Sequence, residues 1–453
     1  METGRAIPRL ARYDVPAIDR YVFFNPASAA CLVTDSRGRA ILDRYLDELE
    51  EGAGSPEGRS EGLPEAGSGA CSADAFIERA QKVGIFRAVE REPAYGQVPH
   101  RLIVELTAAC NLRCKTCYMS ASRPEPNEMT TEEVLALLGH AAESGTETVA
   151  LIGGEPMLRR DLAALTDFAL GAFSDVMIST NGTLLDDAFL ARFDGRPNLT
   201  IQISVDGPDA VSHDAIRGAG AFGKASAAFD LARAHGIRTA VSSVVNRHNY
   251  NLVGLTCDFA SGKSAIMAIF HRVHMFGRAQ DFPEIAPARE QMMHGMGVLF
   301  EKYDQYEGAG RMIVDFPPNR CFRGDTLLDS AYLGCHFGRA SAYVTSTGNL
   351  ACCSHLRDGE YSCGNVREQP LLEIWRDSPV LERMRQMTVD DLPSCKACAV
   401  RYMCRGSCRA DALGHAGSIG GDTYDCEALK AYYTYVLDYY ARNLAPVLPG
   451  SIR

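Results

Sequence analysis

Cys110-Asn-Leu-Arg-Cys114-Lys-Thr-Cys117 follows directly on the apolar run Leu102 to Leu106. Three cysteines with three and then two intervening residues can fold around one corner of an iron–sulfur cube. Three thiolates hold three irons and leave the fourth without a protein ligand. An open metal position is what a catalytic site needs, because a small molecule can coordinate there. A structural zinc site or buried free thiols are the plain alternatives. Zinc wants four protein ligands at paired spacings, and no fourth ligand sits nearby in the sequence.

The bulk of the chain sets the frame for that site. At 453 residues it is too long for one ordinary core, so two or three domains are expected. Hydrophobic content of 46% and charged content of 23% are those of a globular protein in water. A net charge of −11 argues against a sequence-independent grip on nucleic acid. Met1 to Val15 has no apolar core, so it is no secretory signal, and no apolar run is long enough to span a bilayer. The expected setting is the cytoplasm, without nucleic-acid or membrane partners. Thiols stay reduced there, so the 16 cysteines are expected to be metal ligands rather than disulfides. Cys31, Cys71 and Cys257 are scattered; nearly all the others cluster.

Residues 12–95 read as a small separate domain. Tyr21 to Pro26 and Ala29 to Asp35 are two strand candidates joined by a turn. A helix follows with Ile41, Leu42, Tyr45 and Leu46 on one face. Glu51 to Ser72 is rich in Gly, Glu, Ser and Pro and cannot bury a core, so a disordered insertion is expected there. A second helix spans Ala73 to Val83 and ends at Gly84.

From Arg101 to about Phe316 strand and helix alternate. Leu102–Leu106, Thr148–Ile152, Asp175–Ser179, Leu199–Val205, Thr239–Val245 and Ala265–Phe270 are apolar runs of strand length, as buried parallel strands should be. Between the first two, Val134, Leu137, Leu138 and Ala141 share a helix face, and Thr130 with Glu133 offers a capping box. Repeated strand–helix units make a parallel sheet, open or curled into a partial barrel, with its ligand site at the carboxyl ends of the strands. Each motif falls at such an end. The three cysteines follow the first strand, and Gly153-Gly154-Glu155-Pro156 follows the second. Its glycines let backbone approach a ligand closely, and Glu155 can accept from an ammonium. Ser179-Thr-Asn181-Gly182 follows the third strand, Ser204-Val-Asp-Gly207 follows the fourth, and Arg217 comes shortly after.

In this order, after that cysteine triad, these segments resemble the radical S-adenosylmethionine (SAM) superfamily. The resemblance implies a partial (β/α)6 TIM-like barrel and a catalytic 4Fe–4S cluster on Cys110, Cys114 and Cys117. The open iron would take the amino and carboxylate groups of S-adenosylmethionine. It also implies that Gly153 to Pro156 hold the methionyl amine, with Asn181, Ser204 and Arg217 as contacts to ribose or carboxylate. One departure is Thr116, where the superfamily often has an aromatic residue; Tyr118 stands nearby. The N-terminal order of strands and helices is similar to PqqD-like recognition domains. These are small winged-helix α+β folds that pair a sheet edge with an extended leader peptide.

The C-terminal third carries a second pattern. Cys335 and Gly348-x4-Cys353 are followed by Cys395-x2-Cys398-x5-Cys404-x3-Cys408 and then Cys426. A zinc ribbon is the plain alternative, but seven thiolates exceed one tetrahedral zinc. The seven resemble SPASM domains, which carry auxiliary iron–sulfur clusters. That resemblance implies Cys395, Cys398, Cys404 and Cys426 on one cluster and Cys335, Cys353 and Cys408 on another. For the second, Cys321, Cys352 and Cys363 are candidate fourth ligands, with Cys321 preferred. Glu427 to Leu444 reads as a closing amphipathic helix bearing Tyr432, Tyr433, Val436 and Leu437.

The resemblances together imply a PqqD-like domain over 1–95, a radical SAM core over 96–317 and a SPASM domain over 318–453. The expected activity is hydrogen abstraction from a precursor peptide by a 5′-deoxyadenosyl radical, followed by cross-linking or oxidation. An external one-electron donor such as flavodoxin or ferredoxin would serve the clusters. The same chemistry on a small molecule or a protein residue is one rival. Sulfatase maturases, of that kind, place an aspartate after the cysteine matching Cys353, where this chain has Ser354. A non-catalytic iron–sulfur carrier is the other, and it has no use for an amine-binding turn beside an open iron.

Overall fold

The computed structural model describes residues 10–16, 19–25, 30–50, 73–82, 85, 97–306, 309–316, 335, 338–357 and 359–443. Among the described residues, thirteen strands fall into two sheets. The first is a three-stranded antiparallel meander of β1 (Ala11–Val15), β2 (Arg20–Asn25) and β3 (Ala30–Thr34). β4 (Arg101–Glu105), β5 (Thr148–Ile152), β6 (Asp175–Thr180), β7 (Leu199–Ser204), β8 (Arg238–Val245) and β9 (Met267–Arg272) pair in parallel, each with the next. These six are the strands expected from the sequence. β10 (Ile313–Asp315) extends the sheet beyond β9. β11 (Ser341–Val344), β12 (Asn349–Ala351) and β13 (Ser362–Asn365) extend it beyond β4, giving ten strands in the order β10-β9-β8-β7-β6-β5-β4-β11-β12-β13.

β11 therefore runs parallel beside β4, with Tyr343 opposite Ile103. The cysteine-rich region is thus continuous with the barrel sheet, a join too distant in sequence for local pattern to foresee. Alternation along the strands sorts the side chains. Leu102, Val104, Val149, Leu151, Val176, Ile178, Ile201, Ile203 and Val344 join the helices in one core, with Val134, Leu138, Leu165 and Phe229 opposite. The intervening residues Glu105, Ser179, Gln202, Ser204, His271 and Tyr343 take the other face, which is the polar inside of the barrel. The helix Thr131–Glu143 starts on the expected capping box, with Thr130 and Glu133 each serving the other's backbone N–H.

The N-terminal meander is apolar on both faces. Phe23 and Leu32 pack with Ile41, Leu42, Phe76 and Ile77 of the helices Ser36–Glu50 and Ala73–Lys82. Val22, Phe24 and Val33 instead join the core that contains Tyr432, Tyr433, Val436 and Leu437 of the closing helix Cys426–Asn443. The unit read as separate is therefore sandwiched, and one of its faces belongs to the C-terminus of the chain. β1 was not foreseen, because Ala-Arg-Tyr-Asp-Val is short and half polar. The insertion expected over 51–72 lies outside the described residues.

This packing sets the cost of disturbing it. Phe24→Ala should destabilise the chain by about 3–5 kcal/mol, the range for large-to-small changes at a buried aromatic. Deleting residues 10–95 should also uncover the closing helix and promote aggregation. Thermal unfolding and light scattering read both effects; a melting temperature unmoved by Phe24→Ala would show that the sheet does not dock there.

Candidate functional site

The cysteine loop leaves the carboxyl end of β4 and is held from three sides. The Glu128 carboxylate accepts from Thr107 Oγ1 at 2.9 Å, from Ala108 N–H at 2.7 Å and from Glu125 N–H at 2.9 Å. The Arg278 guanidinium donates to the carbonyls of Cys114 at 3.0 Å and Ala121 at 2.8 Å, and its backbone N–H reaches the Cys117 carbonyl at 2.9 Å. Lys115 N–H donates to the Ile216 carbonyl. Each sulfur then receives one donor: Leu112 N–H at 3.4 Å on Cys110, Ala121 N–H at 3.4 Å on Cys117, and the Arg217 guanidinium at 3.9 Å on Cys114. Burial pushes the Cys110 thiol up and the Cys114 thiol up to about 11, with Arg217 pulling Cys114 the other way. Half-buried thiols, each already facing an N–H or guanidinium donor, suit a bound metal that ionises them outright.

Spacing distinguishes a cluster from a single ion. Tetrahedral zinc with bonds of about 2.3 Å needs its sulfurs roughly 3.8 Å apart. Among the described residues, the group of three ligand atoms all within 4.8 Å is His274, Cys408 and Asp411, and no cysteine triad is so tight. Thiols gathered at one loop but set wider than one ion allows fit an iron–sulfur cluster.

The Gly153–Pro156 segment also packs against the cysteine loop. Gly154 N–H donates to the Thr107 carbonyl at 2.7 Å and Glu155 N–H to the Ala109 carbonyl at 2.7 Å. A Cβ on Gly154 would lie 2.2 Å from the Ala109 carbonyl oxygen, and one on Gly153 2.6 Å from that of Thr107. What the glycines admit is the backbone of the cysteine loop itself. Pro156 opens a short 3-10 turn, Pro156–Leu158. The Glu155 carboxylate is fully buried and accepts from Thr180 Oγ1 at 2.7 Å, Asn181 N–H at 2.7 Å and Met157 N–H at 3.1 Å. Burial pushes its pKa up against the pull of those donors. About four lone-pair sites less three leaves room for one further donor, such as an ammonium.

The other expected contacts gather at the same end of the sheet. Asn181 donates through Nδ2 to Asn111 Oδ1 at 2.9 Å, tying the end of β6 to the cysteine loop. Ser204 ends β7, half-buried, at the same end of the sheet. Arg217 donates from Nε to the fully buried Asp206 carboxylate at 2.8 Å. Burial works against its charge, but Asp206 and Cys114 outweigh that and hold the guanidinium protonated. Asp206 also accepts from Val244 N–H at 2.8 Å.

The auxiliary cysteines separate into two neighbourhoods. The Cys353 thiol is pushed well up, first by burial and then by Cys335 and Cys408. The Cys404 thiol is pushed up to about 12, first by burial and then by Cys395, Cys426 and Cys398 among its neighbours. Cys352 and Cys363 face one another, their sulfurs 3.7 Å apart. Cys321 lies outside the described residues.

Several residues of the site had no sequence signal. Glu128 and Arg278 brace the loop, and polar residues in loops carry no mark of that role. His274 Nδ1 lies 2.9 Å from Asp411, and the pair sits against Cys408. Tyr343 Oη donates to Glu105 at 2.6 Å on the barrel's inner face, beside the half-buried Tyr118. Glu155→Ala should strand three donors and cost at least about 3 kcal/mol, at roughly 1–3 kcal/mol for each buried donor left unsatisfied. Unfolding of the metal-free chain measures it; unchanged stability would mean that Glu155 braces nothing and serves only a ligand.

Comparison with known proteins agrees with this geometry. Residues 104–259 match the radical SAM superfamily and residues 335–399 the SPASM iron–sulfur cluster-binding domain. The chain is 29% identical over 327 residues to the mycofactocin maturase MftC of Mycobacterium ulcerans, covering 69% of this chain and 83% of that one. It is also 29% identical to an AdoMet-dependent heme synthase of Nitratidesulfovibrio vulgaris, covering 69% and 88%. In fold it resembles SuiB of Streptococcus suis, solved bound to S-adenosylmethionine, with a TM-score of 0.61 at 15% identity over 93% of this chain and 100% of that one. With cysteine loop, bracing turn and auxiliary cysteines in place, residues 104–259 are a radical SAM domain and residues 335–399 a SPASM domain, those of an enzyme of S-adenosylmethionine and 4Fe–4S clusters.

Proposed function

We propose that the chain modifies a precursor peptide, and the likeness to a mycofactocin maturase along 327 residues carries that reading. When bound on a reduced 4Fe–4S cluster, S-adenosylmethionine would supply radical chemistry able to remove a hydrogen atom from an unactivated carbon. Cys110, Cys114 and Cys117 would hold that cluster, and Arg217 would place positive charge beside Cys114. Gly153 to Pro156 with Asn181 and Ser204 would hold the cofactor, Glu155 through its remaining lone pair. Cys335, Cys353 and Cys408, with Cys395, Cys398, Cys404 and Cys426, would hold two auxiliary clusters that take an electron away as the new bond forms.

Residues 1–95 would dock the leader, 96–317 would do the chemistry, and 318–453 would carry the auxiliary clusters. The meander supports a docking role because β1 and β3 are its edges, and an edge strand can pair with an extended peptide. An external one-electron donor of the flavodoxin or ferredoxin class would act in a cytoplasmic setting. No helix among the described residues is long and apolar enough to cross a membrane.

The heme synthase likeness supports a second reading, in which the substrate is an iron porphyrin. Anaerobically reconstituted protein separates the two. It should bind about three 4Fe–4S clusters and, with a strong reductant, convert a precursor peptide while releasing 5′-deoxyadenosine. Replacing Cys110, Cys114 and Cys117 with Ala should remove one cluster and all release. Conversion of iron coproporphyrin with the peptide untouched would favour the second reading, and release from the triple variant would sink the cluster assignment.

A further inference from the structure

The turn after β12 and the loop after β9 meet over the inner face of the barrel. There the His355 ring lies 4.7 Å from Tyr118, 4.4 Å from His274 and 5.3 Å from Phe276, centroid to centroid. Tyr118 adjoins Cys117, and His274 adjoins Cys408 through Asp411. His355 therefore stands between the catalytic cysteine loop and the nearer auxiliary cysteines. Its backbone N–H donates to Cys353 Sγ at 3.4 Å, and its Nδ1 lies 3.1 Å from Ser354 Oγ. The residue after Cys353 thus spends its hydroxyl on orienting this ring.

The other ring nitrogen is left over. His355 Nε2 is buried and has no hydrogen-bond partner among the described residues. Leaving a buried polar atom unpaired is costly, and native structures seldom keep one without a reason. A substrate must sit where the cofactor's radical can reach it and an auxiliary cluster can take its electron. The ring lies between the residues that would hold the first cluster and those that would hold the nearer auxiliary one.

We propose that His355 is a substrate-binding residue, its Nε2 forming a hydrogen bond with an oxygen-bearing group of the substrate beside the carbon that loses hydrogen. Tyr118, His274 and Phe276 form the ring-lined wall around it. The inference rests on the peptide reading above for the substrate's identity, and on geometry for the residue.

The test uses the full chain, reconstituted anaerobically, with a synthetic full-length precursor peptide as probe. Modified peptide per 5′-deoxyadenosine and the peptide KM are read beside iron content and the EPR spectrum of the reduced protein. His355→Phe should keep its iron and EPR signals yet lower the ratio, or raise KM, by about tenfold, the scale of one lost hydrogen bond. His355→Gln, which keeps a hydrogen-bonding group, should recover most of that loss. A wild-type ratio with a wild-type KM in His355→Phe would overturn the proposal. Should that variant come out short of iron, His355→Ala is read in its place, and an unchanged ratio with an unchanged KM there overturns it equally. If the wild-type chain leaves the peptide unmodified, the peptide reading fails by itself. The ratio is then read with iron coproporphyrin: the same drop in His355→Phe supports the residue's role, and no drop ends it.

Discussion

Two backbone hydrogen bonds, Gly154 to Thr107 and Glu155 to Ala109, fasten the turn after β5 to the cysteine loop after β4. They form only because no side chain stands at 153 or 154, where a Cβ would run into carbonyl oxygens. The Glu155 carboxylate then reaches across to the end of β6 through Thr180 and Asn181, and Asn181 returns to Asn111 in the loop. Three strand ends are thereby locked around three thiols. A cluster held by only three protein ligands needs such a frame, since it lacks the fourth that would otherwise fix it. The rest of the barrel can be seen as the support for this brace.

Charge is handled in the same enclosed way. Arg217 and Asp206 are buried together next to Cys114. Desolvating such a pair is expensive, and losing one partner costs more than losing both, because an uncompensated charge is left behind. Their value here lies in a positive group kept at a fixed distance from a sulfur that carries negative charge when metal is bound. Arg272 plays a comparable part near the auxiliary site, facing Asp411 and Asp425.

Much of the barrel was legible in the sequence. Its six parallel strands announce themselves as apolar runs because both of their faces are covered, and Thr130 with Glu133 marks a helix start by local chemistry alone. The cysteine spacings were equally plain, since a cluster dictates them. What stayed hidden depends on distance along the chain. β11 joins the sheet beside β4 from more than two hundred residues away, and short strands such as β1 and β10 carry too few residues to show a period. The separate reading of residues 12–95 failed to see the closing helix, because nothing in Val22 or Phe24 says which element covers them. Glu155 was read for a ligand contact alone, with no sign that its carboxylate also ties the turn after β5 to the end of β6, and Glu128, Arg278 and His355 gave no local sign at all.

The most direct test of the account is EPR of the reduced, reconstituted chain with and without S-adenosylmethionine. Variants lacking either Cys110, Cys114 and Cys117 or the seven auxiliary cysteines are measured alongside. Direct coordination at an open iron predicts that the cofactor changes the signal of the variant that keeps only the first three cysteines. It also predicts no change in the variant that lacks them. A cofactor-induced change that survives the loss of those three, or vanishes with the auxiliary cysteines alone, would contradict it.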